Sequence, residues 1–147
     1  MLDQDLREGG TRHQAILRNR YVVSAGLECP AMRVINRTAV SITGAQPSVD
    51  WTRQTDADSA RGMLTVVRAR PYGTAVLLPE FELEEDVQDG IEENASWLFE
   101  FQLAAWTDDE SGWPVLRDLK TFREWFRVDV HSVVVDMADT EIEGDEL

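Results

Sequence analysis

The stretch that decides the fold runs Glu84-Glu85-Asp86-Val87-Gln88-Asp89-Gly90-Ile91-Glu92-Glu93-Asn94-Ala95-Ser96-Trp97-Leu98-Phe99-Glu100-Phe101-Gln102-Leu103-Ala104-Ala105-Trp106. Val87, Ile91, Ala95, Leu98 and Ala105 recur three, four or seven apart, the spacing of one face of an α-helix. Trp97, Phe101 and Trp106 widen that apolar stripe, and Asp89, Glu93, Ser96 and Glu100 fall on the opposite face. Glu84, Glu85 and Asp86 sit where the helix begins. Negative charge there complements the helix dipole by about 0.3–1 kcal/mol per group at low salt. The spacing therefore predicts a helix over about residues 84–106. Asp89 and Glu93 are like charges at i,i+4, a repulsion of roughly a few tenths of a kcal/mol that burial of the apolar stripe outweighs.

Such a helix needs a surface to pack on, and the flanking segments read as strands. In Met32–Thr43, alternation sets Met32, Val34, Val40 and Ile42 against Arg33, Arg37, Ser41 and Thr43, as in a half-buried strand. Residues 63–67 and 74–78 read as two strands of an antiparallel hairpin, with Arg70-Pro71-Tyr72-Gly73 suited to a type I turn. Residues 44–61 carry Gly44, Pro47, Asp50, Asp56, Asp58 and Ser59 and read as a long loop pinned by Trp51. Residues 107–114 form a second loop. A second helix is expected over about 118–127, capped by Asp118 or by a Thr121/Glu124 capping box, with Leu119, Phe122 and Phe126 inward. The β-branched run Val128–Met137 reads as a strand.

Upstream, residues 1–10 suggest a flexible arm, Thr11–Arg20 a short helix and Tyr21–Ala25 a short strand. Residues 138–147 suggest an acidic tail. The expected fold is α+β, an antiparallel sheet of four to five strands with two helices packed on one face. At 147 residues and 43% apolar composition, one domain over 1–147 can build its own core.

Charge is placed unevenly. The formal net charge is −14. Residues 1–70 carry +3 and residues 71–147 carry −17. Between Arg70 and Arg117 stand twelve acids and no base, and the final twelve residues add six more acids. Such a block generates a strong one-sided field. Phosphate binding needs clustered Lys and Arg, so direct nucleic-acid binding is not expected. No apolar run reaches the roughly 18 residues of a membrane span. The N-terminus, Met-Leu-Asp-Gln-Asp-Leu-Arg-Glu, lacks the pattern of a signal peptide. These features predict a cytoplasmic protein that meets basic proteins rather than membranes. The competing reading is that the acids serve solubility alone.

Catalytic chemistry finds little support. Cys29 is the only cysteine, so neither an intrachain disulfide nor a multi-cysteine metal site can form, and with no base closer than Arg33 there is little reason to expect a reactive thiol. Asp56-x-Asp58 departs from a calcium loop at Ala60, Arg61 and Val67. Asp108-Asp109-Glu110 reads as a solvated loop more readily than as a cation site. His131 alternates with Val133, Val135 and Met137, which suggests a partly buried structural histidine. No nucleophile elbow or phosphate-cradling glycine loop is present. No catalytic residue, metal or cofactor is assigned.

The sharpest local feature is Trp106-Thr107-Asp108-Asp109-Glu110-Ser111-Gly112-Trp113-Pro114. Two aromatics bracket three acids. Either both Trp side chains bury and hold the loop down, or they anchor a basic partner that the acids steer. The candidate partner-binding residues are Glu84, Glu85, Asp89, Glu93, Trp106, Asp108, Asp109, Glu110 and Trp113.

The segments Pro47-Ser48-Val49-Asp50-Trp51, Thr107 to Pro114, Phe122-Arg123-Glu124-Trp125-Phe126 and His131-Ser132-Val133-Val134-Val135-Asp136-Met137 resemble a family of small acidic bacterial proteins with no assigned activity. The resemblance spans about residues 47–137 and implies a shared fold without chemistry. Three functional expectations stand side by side. The first is a non-enzymatic acidic protein docking a basic protein surface, of inhibitor, immunity or nucleic-acid-mimic type. The second is a small metal-dependent hydrolase using Asp108, Asp109, Glu110 and His131. The third is a structural subunit assembling through exposed aromatics. The oligomeric state is left open by the sequence.

Overall fold

The computed structural model describes residues 32–56 and 64–147. The expected arm at 1–10, helix at 11–20, strand at 21–25, and the positions of Cys29 and Asp58 lie outside the described residues. The element order is β1 (Arg33–Ile35), β2 (Arg37–Gly44), α1 (Gln46–Thr55), α2 (Val66–Ala69), a 3-10 turn at Arg70–Tyr72, β3 (Thr74–Pro79), α3 (Glu84–Ala104), a 3-10 turn at Glu110–Gly112, α4 (Leu119–Trp125), β4 (Phe126–His131) and β5 (Val134–Asp136). The α+β class holds. Among the described residues the strands form two antiparallel sheets rather than one, β3-β2-β4 and β1-β5.

The division has a local cause. β2 and β4 align Ala39 with His131, whereas β1 and β5 align Ile35 with Val134. Residues 36–38 on one side therefore oppose residues 132–133 on the other, a bulge-type mismatch that breaks both ladders at one level. The expected strands over 32–43 and 128–137 are each cut in two, and alternation does not carry across the cut. Val40 and Ile42 are buried, whereas Met32 is exposed.

Two further expectations are corrected. Residues 46–55 are helical, not loop. Pro47 stands in the first turn, where its missing N–H has no intrahelical partner to lose. Val49 and Thr52 bury inward, and the Thr52 hydroxyl donates to the Ser48 carbonyl oxygen at 2.9 Å. Among the described residues, 64–67 form no strand and do not pair with 74–78 as the expected hairpin, and Met63 lies outside them. Thr65 instead caps α2, its side chain accepting from Arg68 N–H. β3 pairs with β2, Thr38 opposite Leu78 and Ile42 opposite Thr74.

The long helix is observed over Glu84–Ala104. Its inner face joins Val40 and Ile42 of β2 and Phe122 and Phe126 around α4 in one buried cluster. Phe99 sits at the centre, 5.2 Å edge-on to Phe126 and 5.3 Å from Trp125. Asp118 caps α4 as expected, its Oδ1 accepting from Thr121 N–H at 2.8 Å and Thr121 Oγ1 at 2.7 Å. Val49, Leu64 and Ala69 form a second, smaller cluster against which Val66 and Trp106 pack. After Asp136 the described chain forms neither helix nor strand. Among the described residues no helix is long and apolar enough to cross a membrane.

Candidate functional site

The candidate residues fall along one helix and the loop that follows it. α3 has 21 residues and so spans about 30 Å. Glu84 and Glu85 lie in its first turn, exposed, on the favourable side of the dipole. Asp89 and Glu93 are exposed one and two turns on. Asp108 and Glu110 are exposed beyond its other end. There the helix dipole is negative and the last turn holds no base to offset it. Glu85, Asp89 and Glu93 share one side of α3 as a strip, whereas Glu84 stands about 180° round from Glu93, so the structure spreads the acids along about 30 Å rather than focusing them.

The strip is uncompensated along most of its length. Among the described residues, Glu84, Glu85, Asp89 and Glu93 form no ion pair. Glu100 does, with Arg117 at 3.0 Å. Arg117 also donates to the Pro114 carbonyl oxygen at 2.8 Å, and Ser96 Oγ donates to the Arg117 carbonyl oxygen at 3.0 Å. Ser96 and Glu100, expected on the free wet face, instead strap the 114–117 segment across the helix. The sequence offers a weak signal for this. Arg117 is the first base after a long acidic run, and an acid on α3 is its natural partner.

Both aromatics of the bracket are partly buried in the folded chain. Trp106 is half-buried against the second cluster and meets Tyr72 edge-on at 5.5 Å. Trp113 packs on the main core, and its Nε1 donates to the Thr107 carbonyl oxygen at 3.4 Å. Asp109 is also engaged. Its Oδ1 accepts from Ser111 Oγ at 2.6 Å and Ser111 N–H at 3.0 Å. Those bonds, the side-chain one first, hold its carboxyl below the usual range.

Two aromatics that spacing places in the buried stripe are not in it. Trp97 is 54% exposed and Phe101 36% exposed, and they stack on each other with centroids 5.3 Å apart. His131 is likewise exposed rather than partly buried. It lies opposite Ala39 on β4, with its Nε2 3.0 Å from Ser41 Oγ. Its hydrogen-bonding contact is thus with β2, and among the described residues it forms no metal-holding group with Asp108, Asp109 or Glu110. No group of three His, Cys, Asp or Glu side chains among the described residues converges to hold a metal ion. No protein-family model, curated protein or solved structure matches the chain.

Proposed function

We propose that this chain is a non-enzymatic acidic binding protein of the cytoplasm. The α3 strip and the 108–110 loop dock a basic protein surface, in the manner of an inhibitor, an immunity protein or a nucleic-acid mimic. The observation that carries the reading is that Glu84, Glu85, Asp89 and Glu93 project from one rigid helix with no ion pair among the described residues. Fixed, unpaired carboxylates attract a cationic surface over a Debye length and lose no partner when they bind it. Trp106 and Trp113 enter this reading as supports. They set the height of the loop, and Asp108 and Glu110 provide the charge. The resemblance to small acidic bacterial proteins supplies no activity, so it adds no chemistry.

The test is capture from bacterial lysate on the immobilised chain at low and high salt, beside a variant with Asp89, Glu93, Asp108 and Glu110 changed to their amides. A basic protein retained at low salt, released by high salt and lost on the variant is the expected result. Retention of no basic protein at low salt, or equal retention by the variant, would refute the reading.

A further inference from the structure

We propose that the outer edge of β3, with the slot beside it, receives an extended basic segment of the partner as an added strand of the three-stranded sheet. This rests on the acidic-docking reading above and specifies its geometry. The sheet order β3-β2-β4 leaves β3 at one end. Its outward N–H and C=O groups therefore have no ladder partner among the described residues, which makes them a template for another extended chain. The usable template runs from Thr74 to Leu78, because Pro79 has no N–H to donate.

The side chains beside that edge select what can be added. Val76 and Leu78 turn toward α3, and with Gly90, Asn94, Trp97 and Leu98 they line an open slot of about 120 Å³. A strand added beside β3 would run roughly 4.8 Å further out. Its side chains of one parity would then point toward this slot and α3, and those of the other parity toward the opposite face, beside the exposed Ala75 and Leu77. What suits the α3 side is set by one stripe of that helix. Asp86, Gly90, Glu93, Trp97 and Phe101 follow at three- and four-residue spacing, so they share a face. The exposed, stacked Trp97–Phe101 pair offers a ring face to a guanidinium or ammonium group. Asp86 and Glu93 form no ion pair among the described residues. An extended backbone with cationic side chains on the α3 side, their alkyl stems crossing the slot and their heads at the acids and rings, and apolar ones on the other side beside Ala75 and Leu77 meets these requirements. A second copy of this chain does not. Residues 71–79 hold no base, and pairing two β3 edges would set two acidic α3 helices side by side.

The probes are two short peptides of identical composition, each blocked by an N-terminal acetyl and a C-terminal amide. One alternates arginine and valine, RVRVRVRV, and the other is its block isomer, RRRRVVVV. Each is titrated into the full isotope-labelled chain at low salt. The alternating peptide is expected to bind at least about tenfold more tightly and to move the amide signals of Ala75 and Leu77 and the indole signal of Trp97. Two N-methylated versions of it, methylated at odd or at even positions, should differ. Only the one whose methyl groups face β3 should lose binding. Gly90→Leu, which fills the slot, should remove the preference for alternation. If that variant fails to fold, the N-methylated pair decides the question. Equal binding of both parent peptides with signals moving only along α3 would overturn edge docking while leaving charge-driven docking intact. Failure of both peptides to bind would overturn both readings. Equal binding of the two N-methylated isomers would overturn strand addition.

Discussion

The indole of Trp51 donates its Nε1 hydrogen to the carbonyl oxygen of Gly112 at 3.0 Å, joining α1 to the loop after α3 across 61 positions of chain. The same ring lies 6.3 Å from Trp125 of α4. One side chain thus ties three elements, and its polar and apolar parts can be separated. Trp51→Phe keeps an aromatic against Trp125 and orphans the carbonyl. A loss of about 1 kcal/mol in unfolding free energy is expected. Urea denaturation measures it, and an unchanged midpoint would mean that water replaces the bond without cost.

Phe99 is fully buried and touches Phe122, Trp125 and Phe126. Truncation to alanine removes the centre of that aromatic group, and Phe/Trp→Ala changes in cores cost about 3–5 kcal/mol. Against a total of about 5–15 kcal/mol for a domain, Phe99→Ala should leave the chain close to its folding limit at 37 °C. Circular dichroism melting reads this directly. A fall of only a few degrees would show that the core collapses around the gap.

Two glycines should respond to alanine with opposite signs. A Cβ on Gly90 would meet Phe81 Cζ at 3.6 Å and Leu78 Cδ1 at 3.9 Å, ordinary contact distances. Gly90 is interior to α3, where alanine is preferred by about 0.8–1 kcal/mol, so Gly90→Ala should stabilise. A Cβ on Gly73 would lie 2.8 Å from Thr43 Cγ2 and 2.9 Å from the Ile42 carbonyl oxygen. The backbone oxygen belongs to the central strand and cannot yield cheaply, so Gly73→Ala should destabilise. Paired chemical denaturation of the two variants settles both signs.

How far the sequence reaches is clearest on α3. The positions that bury, Val87, Ile91, Ala95 and Leu98 among them, follow from periodicity because one helix face must meet one sheet face. Trp97 does not bury, since it lies about 120° round from Ile91 at 3.6 residues per turn. Apolar character marks it as core, but only the width of the sheet decides where the core stops. α1 is hidden in the sequence because Pro47 and Asp50 look like loop residues when their position relative to the helix start is unknown. The β-branched run ending at Val67 misleads for the converse reason. Local strand preference yields when Leu64 and Ala69 are the residues that bury. The one-residue mismatch dividing the sheets leaves no composition signal. At the candidate site, the acids are visible as charge, whereas the strapping of Glu100 by Arg117 depends on a loop path that spacing does not encode.

Acid should weaken the cap of α4. The Thr121 hydroxyl first, then the Thr121 N–H, hold the Asp118 carboxyl below its ordinary value. A group depressed in the folded state contributes stability above its unfolded pKa, about 3.9 for Asp, and loses it as pH falls through the folded value. Asp118→Ala should therefore lower the melting temperature at pH 7, and the gap from the native chain should narrow at pH 3. Asp109 and Asp136 are depressed as well, the latter by the Ala138 N–H and then Arg33. Their contributions fade in the same direction. A gap that stays constant between the two pH values would show that charge plays no part in the cap.

Stability and partner binding should come apart at Glu93. In the native chain Asp89 and Glu93 repel each other at i,i+4 on the exposed face of α3. Lysine at 93 converts that repulsion into an attraction in the better orientation, acid before base. Each pair effect is worth about 0.2–0.5 kcal/mol, so Glu93→Lys should raise the unfolding free energy by a few tenths to about 1 kcal/mol. The same change removes a carboxylate from the strip and places a cation in it, so capture of a basic partner should weaken, most visibly at low salt. A variant that is more stable yet binds less would show that the acidic face is kept at a cost to folding. A variant that loses both would point to a structural role for Glu93. One that binds undiminished at low salt would exclude this part of α3 from the docking surface.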